Sequence, residues 1–539
     1  MSGLGKGVTA ASIAKLFQFR GYSVSMIKID PYLNVDAGTM NPVEHGEVFV
    51  TEEVWEFKPA PNFKFRICEI DQDFGTYERF LDKNLHPMNN ITSGQIYLSV
   101  VLKERIGYFL GKTIQIIPHI TEEIKNRIRQ IAEIQKPDIL ITEVGGTVGD
   151  IESMPFLEAI RQFILELPKD DAAIVHVTYV PFLKTVKQFK TKPTQHSVRM
   201  LQSAGLQPDA IVCRIEHDTW LDEDSKQKIS LFSNIPKSAV VINPDLPVIY
   251  KLPLLFEEQN FGKYLISRLK LEDRNKNMKD WEATIKRIES AKGIIKIAMP
   301  GKYTSIVDSY VSINEALKHA ASVFERIVEI HWIDTEKIEN NPDAVKVLDN
   351  YDGILLTPGF GTRGVEGMIK CAEYAIEKNI PLLGICFGSQ LLFIAFYRKI
   401  MGYLEANSTE VNPDTPYPVV DLLPEQKQIK EKGGTMRLGA HKVIIKENTK
   451  LYDAYKKKEI YERFRHRYHI IPHYAEKAEK YGLVTSAYDE SGRIINAIEI
   501  KNKWLVGVQF HPEYKSRPTR PSPIYQAFIN AIIKSKEKN

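Results

Sequence analysis

Two α/β units in tandem are what this sequence predicts: an N-terminal doubly wound, P-loop-like domain and a second α/β domain of layered strands and helices. Three observations predict them. Short apolar runs recur between helical segments, a glycine-rich start bearing a lysine opens into a helix, and a strongly charged stretch divides the chain.

The runs 'DILITEVGG' from Asp138, 'AAIVHVTYV' from Ala172, 'DAIVCR' from Asp209 and 'SAVVIN' from Ser238 are bounded by turn or charged residues. Helical segments such as Glu122 to Glu133 separate them, which is the pattern of buried parallel strands. Residues 1–270 are therefore expected to form the first domain. From Leu271 to Lys292 the composition turns strongly charged, as a solvated connecting helix would, so 271–293 is read as a linker. The run 'IIKIAM' at Ile294 opens the second domain, 294–539, where 'YDGILLTPGF', 'IPLLGIC' and 'WLVGVQF' again alternate with helices.

At 539 residues the chain is too long for one core. Its 43% hydrophobic and 26% charged residues are those of a globular protein. A net charge of +4 gives no overall field for nucleic acid or a membrane surface, so any anionic ligand must be held by local clusters. The cysteines Cys68, Cys213, Cys371 and Cys386 form no CxxC pair, which argues against a disulfide framework or zinc site and for a reducing cytoplasmic setting. The N-terminus has no apolar stretch of signal-peptide type. The window Ile380–Tyr397 approaches membrane-spanning length, but Pro381, Gly384, Gly388, Ser389 and Gln390 make a buried strand, sharp turn and helix the better reading.

Gly384-Ile-Cys386-Phe-Gly388 lies where that strand would meet that helix. Glycines flanking a nucleophile relieve a tight strand-to-helix turn, and the amides that follow point at an oxyanion. A buried structural cysteine would give the same short pattern. The second element, 'VGVQFHPE', ends an apolar strand in His511 with Glu513 two residues on, an imidazole base and a carboxylate to orient it. With Pro358-Gly359-Phe360-Gly361 upstream, these residues resemble the class I glutamine amidotransferases. The resemblance implies a triad of Cys386, His511 and Glu513, a γ-glutamyl thioester on Cys386, and release of ammonia. It places oxyanion donors near Gly359 and Phe387, although only one glycine precedes Phe360 where the pattern has two. It also assigns Glu410 and Arg467, within 'ANSTE' and 'RFRHRYH', to glutamine binding with Gly388, Ser389 and Gln390.

At the other end, Ser2-Gly3-Leu4-Gly5-Lys6-Gly7 runs straight into 'VTAASIAKLFQFRG' from Val8. Glycines let backbone amides approach phosphate oxygens, the helix N-terminus adds positive potential, and Lys6 adds a mobile charge. Together with 'IKIDPYLNVDAGTMNPVEHGEVFVT' from Ile27, 'FGTYERF' from Phe74, 'IIPHITEEIK' from Ile116, 'EVGGTVGDIESMPFLEAIRQ' from Glu143, 'KTKPTQHS' from Lys190, 'GKYTSIVDSYVSINEALKHA' from Gly301 and 'GGTMRLGA' from Gly433, this start resembles the CTP synthases over nearly the whole chain.

That resemblance implies ATP-dependent amination of UTP to CTP, with O4 phosphorylated and then displaced by ammonia that travels internally from Cys386. It implies Mg²⁺ with ATP, held by Asp73 and Glu143, since adjacent triphosphates need divalent metal and lysines. Gly3, Leu4, Gly5, Lys6, Gly7, Val8, Lys28, Asp73 and Asp245 would serve ATP. Ser2, Asp150, Ile151, Glu152, Lys190, Thr191, Lys192, Pro193, Thr194, Gln195 and Lys228 would serve UTP and the feedback inhibitor CTP, with Arg161 at the pyrimidine end. Gln115 and His119 match a segment shared across subunits, which implies a homotetramer and, beyond it, filaments. GTP as allosteric activator is implied, with Arg363, Gly364 and Glu366 in the matching lid.

Two departures qualify the resemblance. The family has an apolar first strand and more of the phosphate loop ahead of the segment that starts here at Ser2; their loss would expose the flanks of the neighbouring strands, so a mis-assigned or truncated start is expected, and failing both a weak or inactive ligase. The stretch 'VWEFKPAPNFKFRICEI', Val54 to Ile70, is longer and more aromatic than the expected acidic link and reads as an added hairpin or retained insertion. Two other readings therefore stand beside an active ligase: a ligase-impaired homologue acting as a structural or regulatory subunit, and an amidotransferase with another acceptor.

Overall fold

The computed structural model describes residues 3–216, 220–301, 307–427 and 433–537. By contacts the chain divides into two compact units, one of residues 1–37, 55–65 and 73–285, the other of 38–54, 66–72 and 286–539. The second unit thus draws two short segments from the N-terminal part of the chain.

In the first unit the glycine-rich start leads into α1 (Lys6–Phe19), followed by β1 (Val24–Asp30). The aromatic insertion is a hairpin of β2 (Phe49–Ala60) and β3 (Phe63–Ile70) turning at Pro61 and Asn62, of which residues 55–65 belong to this unit. Then come α2 (Asp73–Leu81), β4 (Asn90–Thr92), α3 (Ser93–Arg105), α4 (Thr121–Gln135), β5 (Ile139–Val144), α5 (Met154–Glu166) and β6 (Val175–Tyr179). The unit continues through α6 (Lys192–Ser203), β7 (Ala210–Ile215), α7 (Glu223–Ser233) and β8 (Val240–Pro244).

All the sheet pairings among β1 and β4 to β8 are parallel, in the α/β manner expected, but they form two three-stranded sheets, β4-β1-β5 and β8-β7-β6. The middle strand β1 is buried throughout and β7 nearly so, whereas β5 and β6, each at a sheet end, are largely half-buried. Ile27 and Ile29 of β1 join Ile96, Val100, Ile124 and Phe156 in one core, so alternation sends Lys28 to the opposite face.

The charged stretch carries α8 (Lys279–Glu289), anchored by Trp281, whose Nε1 donates to the Tyr250 carbonyl at 2.9 Å. The second unit then runs β9 (Gly293–Gly301), α9 (Val311–Val323), β10 (Arg326–Asp334), β11 (Gly353–Leu356), α10 (Val365–Lys378), β12 (Leu382–Ile385) and α11 (Phe387–Lys399). It ends with β13 (Arg437–Ile445), β14 (Glu459–His466), β15 (Leu483–Tyr488), β16 (Ile495–Ile500), β17 (Leu505–Val508) and α12 (Pro523–Lys536). These strands make one nine-stranded sheet in the order β10-β9-β11-β12-β17-β16-β15-β13-β14.

Ile354 and Leu356 of β11 enter a core with α10 and α11, while Leu355 enters a second with α9 and α12. Both faces of the sheet are therefore covered, which is why β11 and β12 read as unbroken apolar runs. The window 380–397 resolves into β12, a turn at Cys386 and α11. Among the described residues no helix is long and apolar enough to cross a membrane.

Candidate active site

β12 ends against β17 and hands the chain to Cys386, whose φ of 51° and ψ of −104° lie outside the helical and strand regions. Such a residue is strained and persists because its surroundings dictate it. A Cβ on Gly388 would stand 2.8 Å from the Leu356 carbonyl carbon, and one on Gly384 would stand 2.7 Å from the Gly388 oxygen. The glycine spacing thus follows from how closely this turn packs. The Cys386 sulfur receives Gln509 Nε2 at 3.4 Å and donates toward the Arg465 carbonyl at 3.5 Å.

β17 delivers the second element. His511 Nδ1 lies 2.7 Å from Glu513 Oε1, with both side chains buried, which leaves Nε2 for the sulfur. Tyr514 stacks on the imidazole at 5.1 Å and is itself held by donation of its hydroxyl to the Val48 carbonyl at 3.0 Å. Burial alone would push His511 down, but the Glu513 carboxylate and Cys386 override it and raise it from 6.5 to about 10. The stability this pairing contributes is then full below the ordinary histidine value and lost as pH rises through about 10.

Glu513→Gln removes the first of the raising influences. We expect the thermal midpoint of the wild type to fall more steeply than that of the variant between about pH 7 and pH 10, with glutamine hydrolysis about 10²- to 10⁴-fold slower in the variant. Parallel pH curves would contradict the pairing.

Of the other residues expected to meet glutamine, Gly359, Ser389 and Gln390 pack beside the Cys386 turn. Gly359 lies against Phe387, with a Cβ there 3.9 Å from the ring. Gln390 Nε2 donates to the Tyr468 carbonyl at 2.9 Å and to Gln509 Oε1 at 3.0 Å. Ser389 is buried against Gly507. Glu410 accepts the Gly361 amide at 2.8 Å. Arg467 donates to Gln426 Oε1 at 2.8 Å and Thr435 Oγ1 at 2.9 Å, hydrogen bonds to neutral groups.

In the first unit, Gly5 caps α1 with φ 82°, a conformation that favours glycine, beside Arg214 and Asn243. Lys28 projects toward the same helix. Its Nζ pairs with Asp73, lies 2.9 Å from Glu143 Oε1 and 3.9 Å from Asp30 Oδ1, and Tyr77 donates to the other Glu143 oxygen. Lys6 belongs to this cluster: burial lowers it below the ordinary lysine value, with Lys28 acting the same way and Glu143, Asp73 and Asp30 opposing. Asp245 pairs with Arg214. Leu4 and Val8 are half-buried along the same turn, and Gly3 has φ 72°.

A Cβ on Gly7 would fall onto the Asp73 carboxylate, 2.7 Å from Cγ. Gly7→Ala should therefore displace Asp73 from Lys28 and slow CTP formation from either nitrogen source at least about tenfold, without changing glutamine hydrolysis. Unchanged synthesis would exclude a close role for this carboxylate.

The residues expected at the pyrimidine nucleotide occupy the turn before α5, the start of α6 and the exposed side of α7. Thr191 to Gln195 form the entry to α6, where Pro193 occupies the first turn and buried Thr194 donates to the Tyr179 carbonyl at 3.1 Å. Gln195 Nε2 donates to Thr191 Oγ1 at 3.0 Å. Asp150, Ile151 and Glu152 are exposed on the turn before α5, and Gly149 beside them lies against Met200 of α6. Lys192 covers the Phe232 ring of α7, the helix that carries exposed Lys228, and Lys190 donates to Gln188. Ser2 lies outside the described residues.

The family model for the CTP synthase N-terminus matches residues 1–271, and that for class-I glutamine amidotransferases matches 305–531. The CTP synthase of Pyrococcus furiosus is 51% identical over 542 residues, covering 100% of this chain and 97% of that protein. The chain belongs to the CTP synthase family. The CTP synthase of Pyrococcus abyssi is 50% identical over 540 residues, with 100% and 97% covered. A Trypanosoma brucei CTPS glutaminase domain with bound acivicin is 34% identical, covers 44% of this chain and 94% of its own, and has a TM-score of 0.42.

CTP synthases use ATP, which implies Mg²⁺, and the donor set here fits it. Asp73 and Glu143 supply hard oxygens that already converge on one cationic nitrogen. Among the described residues no group of three or more ligating side chains could hold a metal ion by itself, so phosphate and water oxygens would complete the shell.

Sequence reasoning passed over Tyr77, Asp30, Arg214, Gln509 and Tyr514. Two of these carried a signal. Tyr77 stands four residues after Asp73 on α2, hence on the same helix face, and Gln509 stands two before His511.

Proposed function

We propose that this chain catalyses the ATP-dependent amination of UTP to CTP with ammonia from glutamine, using the residues described above. The observation that carries the glutaminase half is Cys386 on its strained turn, with His511 held by Glu513 at 2.7 Å. Attack of the sulfur on the glutamine carboxamide forms a thioester, and His511 passes a proton to the leaving ammonia. Water then releases glutamate. Backbone amides at Gly359 and Phe387 serve the oxyanion, and Glu410 and Arg467 take the α-ammonium and α-carboxylate.

In the synthetase half, α1 and Lys6 bind the ATP phosphates, with Lys28 and Asp245 beside them. Asp73 and Glu143 hold Mg²⁺, which neutralises phosphate charge when bound. Lys190 to Gln195 and Lys228 bind the UTP phosphates, and Asp150 to Glu152 face the pyrimidine. Phosphorylation turns O4 into a leaving group that ammonia displaces at C4. CTP competes at this site as feedback inhibitor.

GTP activates the glutaminase through the segment of Arg363, Gly364 and Glu366. The enzyme works in the cytoplasm as a homotetramer. The exposed apolar side chains Tyr108, Leu110, Ile116 and Ile117, next to Gln115 and His119, support that assembly. Spectrophotometric conversion of UTP to CTP, with glutamine and separately with ammonium chloride, tests the reading; no CTP from either source would overturn it.

A further inference from the structure

The aromatic insertion builds a cavity that the reaction above does not use. Trp55, Phe57 and their neighbours on β2 close against α3 and α4, all within the first unit, around a space of about 480 Å³. At its wall stands Arg127 of α4. Its guanidinium lies 4.7 Å from the Trp55 ring and 5.0 Å from that of Phe57, two rings that are 5.2 Å from one another and so approach it from the same side. Among the described residues it makes no ion pair, and its one hydrogen bond is from Nη2 to the neutral Gln95 Oε1 at 3.1 Å.

The remaining charges lining the cavity cancel in pairs. Lys58 meets Glu56 at 2.8 Å and Lys103 meets Glu123 at 2.5 Å, which leaves one uncompensated positive charge, that of Arg127. Burial brings this guanidinium down to about 10 although Glu123 is close enough to raise it, the mark of a cation short of a counter-charge. Ser99, Asn126 and Gln130 add neutral hydrogen-bonding groups to the same wall.

We propose that this cavity is a binding site for a small metabolite carrying a single oxyanion, a carboxylate or a phosphate monoester, whose oxygens take the open edge of Arg127. A planar guanidinium fork matches two oxygens in its own plane, and one net charge matches one anionic group better than a triphosphate. The volume exceeds that of a bare anion and leaves room for a polar body against Asn126 and Gln130. The site is separate from Asp73, Glu143 and Cys386, so it stands or falls independently of the amination chemistry.

The test titrates the full chain at constant ionic strength with acetate, inorganic phosphate and glycerol phosphate, following tryptophan fluorescence and, in parallel, equilibrium dialysis. Saturable binding of at least one probe is expected in the millimolar range or tighter, with the preferred probe distinguishing carboxylate from phosphate. Trp55→Phe should remove the fluorescence change and keep binding by dialysis. Arg127→Met should weaken binding at least about tenfold, and Arg127→Lys, which keeps charge and packing but loses the fork, should weaken it nearly as much. If Arg127→Met fails to fold, Arg127→Lys decides. No saturable binding by the wild type up to about 50 mM, or undiminished binding by the folded Arg127 variant, overturns the proposal.

Discussion

Cys386→Ala will stop CTP formation from glutamine, with a loss of about 10⁵-fold or more, while CTP formation from ammonium chloride continues near the wild-type rate. No neighbour can substitute for the sulfur. His511 is committed to Glu513 through Nδ1, and Gln509 and Gln390 are amides hydrogen-bonded to one another. The methyl group of alanine fits the same turn, and the φ of 51° at this position is already tolerated by a non-glycine residue, so β12 and α11 should keep their places. Loss of both activities would mean that the two reactions are not carried by separate sites. Retention of glutamine-supported synthesis would remove Cys386 from the chemistry altogether.

The same pair of assays tests the ligase-impaired alternative directly. A ligase-impaired subunit would hydrolyse glutamine yet form no CTP from ammonium chloride. The two activities can be lost separately because the glutaminase and synthetase residues lie in separate parts of the sequence.

Those parts were not equally legible. Around Cys386 and His511 local chemistry dictates the sequence: the turn admits little beyond glycine at positions 384 and 388, and a carboxylate two residues past the imidazole can reach it within one turn. The insertion could be noticed by its length and aromatic content, but not what β2 and β3 do. Segments 38–54 and 66–72 group with the second unit through partners far along the chain. Glu47 accepts from Ser312, Arg465 donates to Glu69 and Tyr514 donates to Val48, at separations of 265, 396 and 466 residues. No local periodicity reports such pairings. Apolar runs predict a doubly wound sheet but do not tell one sheet from two; only the pairing of β5 with β1 and of β6 with β7 does that.

Lys28→Met should cost the ligase at least about 10³-fold with either nitrogen source and leave glutamine hydrolysis intact. Lys28 pairs directly with both Asp73 and Glu143, and its own side chain and that of Glu143 are almost fully buried. Removing it leaves two carboxylates without that ammonium in a setting where one unmatched buried charge costs about 3–5 kcal/mol, so the variant should also melt earlier. Magnesium offers the displaced carboxylates a replacement. Added Mg²⁺ should therefore raise the melting temperature of Lys28→Met more than that of the wild type, because a ligand stabilises whichever protein binds it more tightly. An equal or smaller shift would show that Asp73 and Glu143 do not make a common cation site. Lys28→Arg separates charge from shape: it restores the counter-charge and should recover most of the stability, while its broader, planar head recovers little of the synthesis.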